Sequence, residues 1–293
     1  MQSMANAKKY TPIATLIIVL FYVIFLQCDR KLYFHNISKK HIVNNIIFGG
    51  SNAMNSISAR QLSTTLGSEW YNASMSGEME NINTYSTFIS KIASKTDANN
   101  INNVVYSSVL PYIPSAIASY TKSTGANDNT GIGIHLRPSR LALGYINDII
   151  KRNDSTEEGL NNNFGDYSNN TANCFFDPDL YPFKTEKAEV ISKFLIERAA
   201  FLASHFGNAH IYMVLPSMYH GKPTPEFSEF KQILQQQFNN DLLLQAAPLK
   251  ERVSLVIQPQ YPSDKHICND GLHAVPLGRT WRTTNLISFL QKN

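Results

Sequence analysis

The stretch Ile46–Ser56, IIFGGSNAMNS, decides the fold. Ile46, Ile47 and Phe48 read as the end of a buried strand, because β-branched and aromatic side chains suit a sheet. Gly49 and Gly50 free the backbone for a tight turn or for the close approach of another group. The following segment, Ser56–Leu66, reads as helix. At such a strand-to-helix junction Ser51 has two readings: a helix cap, or a nucleophile held at the mouth of a sheet.

Outward from this turn, short apolar runs alternate with helical patterns. Glu69–Ala73 is a predicted strand followed by a loop through Gly77, and Ile82–Ala93 has helical spacing. Asn103–Leu110 is a strand ended by Pro111, and His210–Leu215 a strand stopped by Pro216. Thr185–Phe206 is a long helix with Val190, Ile191, Phe194, Leu195, Leu202 and Phe206 on one face. Phe227–Phe238 is a helix and Val253–Ile257 the last strand. Leu277–Leu290 is a closing helix with Leu277, Trp281, Leu286 and Phe289 or Leu290 inward. Residues 121–175, rich in Asn, Gly, Ser and Thr, read as an insertion with one helix at Leu141–Ile150. Strands separated by helices imply an α/β three-layer sandwich with a central parallel sheet, whose sites form at the carboxyl ends of the strands.

The 293 residues are 43% hydrophobic and 16% charged, enough apolar material for one large domain or two small ones and too little charge for a disordered chain. Tyr10–Cys28, YTPIATLIIVLFYVIFLQC, carries no charge. As a helix rising about 1.5 Å per residue it nearly spans a hydrocarbon core of about 30 Å. No A-x-A-like cleavage site follows it, which favours an uncleaved anchor over a signal peptide. The expected organisation is a tail at 1–9, a transmembrane anchor at 10–28, a juxtamembrane linker at 29–44 and the α/β domain at 45–293. Lys8 and Lys9 flank the anchor on one side, and Arg30, Lys31, Lys39 and Lys40 on the other. By the positive-inside rule that count alone would put the large domain in the cytoplasm.

The net charge of +4 resides beside the anchor: residues 1–40 hold six basic residues and one acidic, and the remainder holds 20 basic and 21 acidic. This excludes the basic footprint of a nucleic-acid binder and leaves contact between the juxtamembrane bases and anionic lipid as the electrostatic role. Cys174 and Cys268 have two open readings: a disulfide, which an exported domain would allow, or two unrelated buried thiols. No metal site is expected, because no Cys/His spacing fits zinc. No G-x-G-x-x-G run or P-loop lysine suggests a nucleotide, and no cofactor is expected. His210 and His220 read as ordinary residues, and Arg137 and Arg140 as a solvated face in preference to an anionic-glycan contact. The Asn-x-Ser/Thr sites at Asn36, Asn72, Asn153 and Asn169 matter only in a eukaryotic secretory path, which nothing in the sequence supports.

Chemistry concentrates in NDGLHAVPLGR, Asn269–Arg279, after the last strand. Asp270 and His273 stand three residues apart, a spacing at which two side chains in a turn or at a helix start point the same way. Asp270 is then placed to accept from His273 Nδ1–H, and His273 Nε2 to take the proton of Ser51 Oγ.

These blocks resemble the SGNH/GDSL hydrolase superfamily. The first block reads GGSNA, with Gly50 where that family usually has Asp before the serine. The second is Gly77 in YNASMSGEMEN, and the last is DGLH followed by Pro276 and Gly278. The third block departs from the pattern: the central strand ends YSSVLPY without the Asn of the oxyanion hole, leaving Ser107 or Ser108, or backbone N–H groups alone. The resemblance implies catalysis by Ser51, His273 and Asp270, with the Ser51 and Gly77 N–H groups as oxyanion hole. Membrane-anchored relatives that move acyl groups onto exported polysaccharides often share the anchor, the Asp-less first block and a degenerate third block. The resemblance therefore implies transfer of an O-acyl group, acetyl above all, on a cell-surface polysaccharide, with an acyl donor and a membrane-bound transfer partner. An O-acetylesterase, or a non-catalytic glycan-binding scaffold on a decayed SGNH fold, are the alternatives. It also places the domain outside the cytoplasm, against the charge count; no substrate-binding residue follows from it.

Overall fold

The computed structural model describes residues 43–74, 86, 89–90, 92–94, 96–109, 187–217, 225–268 and 273–292. The chain divides into two compact units, and every described residue belongs to the one formed by His41–Asp128 and Asn162–Asn293. The expected anchor at 10–28, most of the linker and the insertion at 121–175 lie outside the described residues. Among the described residues, no helix is long and apolar enough to cross a membrane.

Five strands form the sheet: β1 (Asn45–Gly49), β2 (Trp70–Asn72), β3 (Asn103–Ser107), β4 (His210–Leu215) and β5 (Val253–Ile257). Their order is β2-β1-β3-β4-β5, and every pairing is parallel. The sheet is therefore of the doubly wound kind, with its reversal of direction between β1 and β3. The expected parallel α/β architecture is present, and His210–Leu215 and Val253–Ile257 are strands at the bounds the sequence indicates.

Helices cover both faces. α1 (Ser51–Ser56) and α2 (Ala59–Leu66) follow β1, α3 (Ala188–His205) precedes β4, α4 (Pro225–Leu243) and the short α5 (Ala247–Lys250) precede β5, and α6 (Pro276–Leu290) closes the chain. Side chains alternate across a strand, so neighbouring residues serve opposite layers. Ile47, Val105, Tyr212, Val214 and Val256 pack with Ala53, Leu62, Leu286 and Ile287 from α1, α2 and α6, and with Ile57 between α1 and α2. Phe48 meets the other layer, with its ring 5.7 Å from that of Phe206 at the end of α3.

Three expectations are corrected. Ser56–Leu66 is not one helix: the chain extends at Ile57 and restarts at Ser58, whose side chain caps α2 by accepting from Gln61 N–H. The helix expected at Phe227–Phe238 runs further, over Pro225–Leu243. Leu277 does not face inward; at 52% exposure it lies in the first turn of α6 and points to solvent, while Gly278, Arg282, Thr283, Leu286 and Ile287 form the buried stripe.

Candidate active site

Gly49 makes the turn after β1 possible. It adopts φ +155°, and a Cβ there would lie 2.1 Å from the Ser107 carbonyl oxygen and 2.5 Å from the Ala53 Cβ. The end of β1 thus passes close against β3, its partner across the switch point, and α1 starts at once. Gly50 is the N-cap residue of α1, and Ser51 is the first residue inside the helix. Ser51 is therefore not the cap. Its Oγ lies 2.8 Å from His273 Nε2, joining residues 222 apart in the chain.

His273 is held by a small clamp of its own. Ile267 and Ala274 form an antiparallel bridge, Cys268 N–H donates to the His273 carbonyl at 2.7 Å, and Val275 N–H donates to His266 at 3.1 Å. Tyr261 packs with the bridge residues Ile267 and Ala274, and Trp281 lies against them. Gly278 fits the first turn of α6 under the clamp, where a Cβ would meet the His266 carbonyl at 1.8 Å. Pro276 and Gly278 of DGLHAVPLG are thereby explained: Pro276 opens α6, and Gly278 lets that helix pass directly below the histidine's clamp.

A neutral imidazole that accepts from Ser51 at Nε2 carries its proton on Nδ1. Asp270, expected to hold that proton, is one of the four residues between Cys268 and His273, which lie outside the described residues; Gly77 lies outside them too. Ser107, a candidate for the missing oxyanion donor, is fully buried and its Oγ takes a hydrogen bond from Arg282; Ser108 is also buried. Asn72 is fully buried as well: its Nδ2 donates to Ile57 O at 3.0 Å, and its Oδ1 accepts from Ser74 N–H at 3.1 Å. It braces the end of α1 against Ser74, just after β2, and offers no surface for a glycan. Cys268 is disulfide-bonded, with its partner outside the described residues.

Two features went unread in the sequence. One is the capping signal Ser58-x-x-Gln61, which separates α1 from α2. The other is Arg282, fully buried and bonded to Asn52, the residue after Ser51. Among the described residues no cluster of His, Cys, Asp or Glu is arranged to hold a metal ion. A broad groove along α4 and β5, lined by Lys231, Gln235, Asn239 and Phe289 among others, includes neither Ser51 nor His273.

No family model and no curated protein matches the sequence. Among solved structures, the chain is similar to a family two carbohydrate esterase from Clostridium thermocellum in complex with cellohexaose, at TM-score 0.44 and 10% identity, over 86% of this chain and 65% of that one. It is similar to an acetyl xylan esterase, Est2A, from the rumen bacterium Butyrivibrio proteoclasticus, at TM-score 0.40 and 9% identity, over 85% of this chain and 64% of that one. A carbohydrate esterase family 2 enzyme with a carbohydrate binding domain from Corynascus thermopiles aligns at TM-score 0.39 and 12% identity, over 85% and 66%. The chain thus spans about two thirds of the length of these structures.

Proposed function

We propose that this chain is an SGNH-type serine acyltransferase acting on O-acyl groups, acetyl above all, of an exported polysaccharide. The observation that carries the reading is the 2.8 Å contact between Ser51 Oγ and His273 Nε2 at the carboxyl end of β1, beside the switch point of a parallel sheet. The Gly-Gly-Ser turn and the DGLH block supply the two partners in the order that the SGNH resemblance requires.

In this reading Ser51 Oγ attacks the acyl carbonyl and passes its proton to His273 Nε2. The C–O bond to the donor breaks as His273 returns the proton to the leaving oxygen, which leaves the acyl group on Ser51. A sugar hydroxyl then gives its proton to His273 and takes the acyl group, regenerating Ser51. Asp270 holds His273 Nδ1–H and steadies the imidazolium. The N–H groups of Ser51 and Gly77 receive the oxyanion; in the first turn of α1 the Ser51 N–H has no intrahelical acceptor. Hydrolysis shares the first half and differs only in using water as the acceptor. The uncharged segment at 10–28 anchors the chain, and the disulfide at Cys268 supports an oxidising location for the large domain, outside the cytoplasm.

The test is labelling of the full chain, in mild detergent, by a serine-directed fluorophosphonate, together with hydrolysis of p-nitrophenyl acetate. Labelling and turnover that vanish in Ser51→Ala and fall on the order of 10³-fold or more in His273→Ala are expected. A folded protein that neither labels nor turns over overturns the enzymatic reading in favour of a scaffold. For the location, a membrane-impermeant maleimide reaching a cysteine added at the carboxyl terminus of intact cells is the expected result; protection until lysis overturns it.

A further inference from the structure

The geometry points to Arg282 as a positioning residue for Ser51 and His273, a role that rests on the serine–histidine reading above. The two halves of that pair arrive on separate pieces of chain. Ser51 opens α1, and His273 lies three residues before α6. Their contact needs α6 to keep its height against α1, and a misplacement of about 1 Å costs on the order of 10²-fold in rate.

Arg282 sits in the second turn of α6 with no exposed surface. Its Nε donates to Gln258 Oε1 at 2.5 Å, its Nη1 to Asn52 Oδ1 and, at 3.5 Å, to the Asn52 carbonyl, and its Nη2 to Ser107 Oγ. Gln258 closes the ring by donating from Nε2 to the Arg282 carbonyl at 3.0 Å. The partners stand at the carboxyl ends of the strands: Asn52 just after β1, Ser107 ending β3 and Gln258 just after β5. One guanidinium thus fastens the closing helix to three strand ends, and one of its anchors is the neighbour of Ser51.

Burying a guanidinium is costly unless its donors are met. The rigid planar fork of arginine spreads its donors to acceptors on three separate residues, whereas a lysine ammonium gathers its three donors on one nitrogen at the end of a flexible stem. Other bonds also join the two segments, including Ala274 N–H to Ser56 Oγ at 3.2 Å and Ser58 N–H to Thr283 Oγ1 at 3.0 Å. These hold the far end of α1 and the start of α2. Arg282 holds the end that carries Ser51, so its effect belongs to the reactivity of the serine as well as to the stability of the fold.

The experiment compares full-length wild type, Arg282→Met, Arg282→Lys, Asn52→Ala and the double variant Arg282→Met/Asn52→Ala, each well below its melting temperature. It reads the fluorophosphonate labelling rate, and kcat and KM for p-nitrophenyl acetate. Arg282→Met and Asn52→Ala are expected to lower labelling and kcat by about tenfold or more with KM changed by less than about threefold. The double variant should be no worse than the poorer single, since the two residues act as one unit, and Arg282→Lys should recover part of the loss. If Arg282→Met does not fold, Asn52→Ala and Arg282→Lys decide the matter. Folded variants that label at the wild-type rate overturn the positioning role and leave the serine–histidine reading intact. A wild type that does not label at all removes that reading, and the role of Arg282 with it.

Discussion

Two ends of the same sheet carry nearly the same pair of side chains. At the carboxyl end Ser51 Oγ lies 2.8 Å from His273 Nε2; at the amino end Ser254 Oγ lies 2.9 Å from His210 Nε2. A further serine–histidine contact, Ser90 to His205 at 2.9 Å, joins α3 to a neighbouring helical segment. Distance does not separate these pairs. Their settings do. His210 opens β4 and reaches diagonally across to Ser254 near the start of β5, a cross-strand contact within regular sheet. Ser90 also faces the carbonyl of Ser86, one turn back in its own helix, so two acceptors compete for its single proton. Ser51 alone follows a glycine turn at the switch point, in the first turn of a helix, where a parallel sheet leaves room for a ligand. In the reading proposed above, a serine–histidine contact serves as an engine where the turn after a strand sets the hydroxyl at the carboxyl ends of the sheet.

The sharpest way to break this comparison is to remove each serine in turn. Ser51→Ala should abolish fluorophosphonate labelling and lower turnover on the order of 10³-fold or more. Ser90→Ala and Ser254→Ala should leave both within about twofold and instead cost about 1 kcal/mol of stability, the net worth of one hydrogen bond. Loss of labelling in either of those two variants would show that position in the sheet does not distinguish the sites.

The next effect separates the turn from the pair it presents. A methyl group at Gly49 would meet the Ser107 carbonyl oxygen and the Ala53 side chain, neither of which lies at the end of a flexible chain. Gly49→Ala should therefore cost about 3 kcal/mol and also slow labelling of Ser51. Gly67, the left-handed cap of α2 at φ +66°, has open space around it, so Gly67→Ala should cost about 1 kcal/mol and leave labelling unchanged. Urea titration with labelling in parallel reads both. Equal losses of stability in the two variants would mean that β1 moves freely at its end.

How much of this was legible in the sequence follows from what each pattern encodes. Strands such as His210–Leu215 are continuous apolar runs bounded by turn residues, and a buried parallel strand needs nothing more. The meeting of Ser51 with His273 was legible because glycines and a short Asp-x-x-His block surround them. The break between α1 and α2 was written as Ser58-x-x-Gln61 but was masked by helix-compatible residues on both sides. Arg282 was not legible. Its spacing from Leu286 puts it on the inward face, but a long charged side chain there ordinarily reaches past the apolar stripe to solvent. The approach of three strand ends, which gather Asn52, Ser107 and Gln258 from distances of 230, 175 and 24 residues along the chain, satisfies its donors inside. Residue type predicts burial through local pattern, and a buried cation with polar partners is a property of the assembled fold.

The smallest expected effect concerns the amino-end pair and comes from its charge. Burial first, and the nearby Arg252 second, hold the His210 imidazole below its ordinary pKa near 6.5. In the unfolded chain that restraint is gone. Above the unfolded value both states carry a neutral ring, and the full contribution of His210 is present. As pH falls from there through the lower folded value, the unfolded chain takes up a proton that the folded one resists, and stability is lost. Melting temperature should therefore decline from neutral pH toward about pH 5 more steeply in wild type than in His210→Gln, which keeps a polar side chain beside Ser254 without titrating. Parallel declines would assign the acid sensitivity to other groups. Labelling of Ser51 measured at a single neutral pH should be the same in both proteins, because the two pairs sit at opposite ends of the sheet and share no hydrogen-bond partner among the described residues.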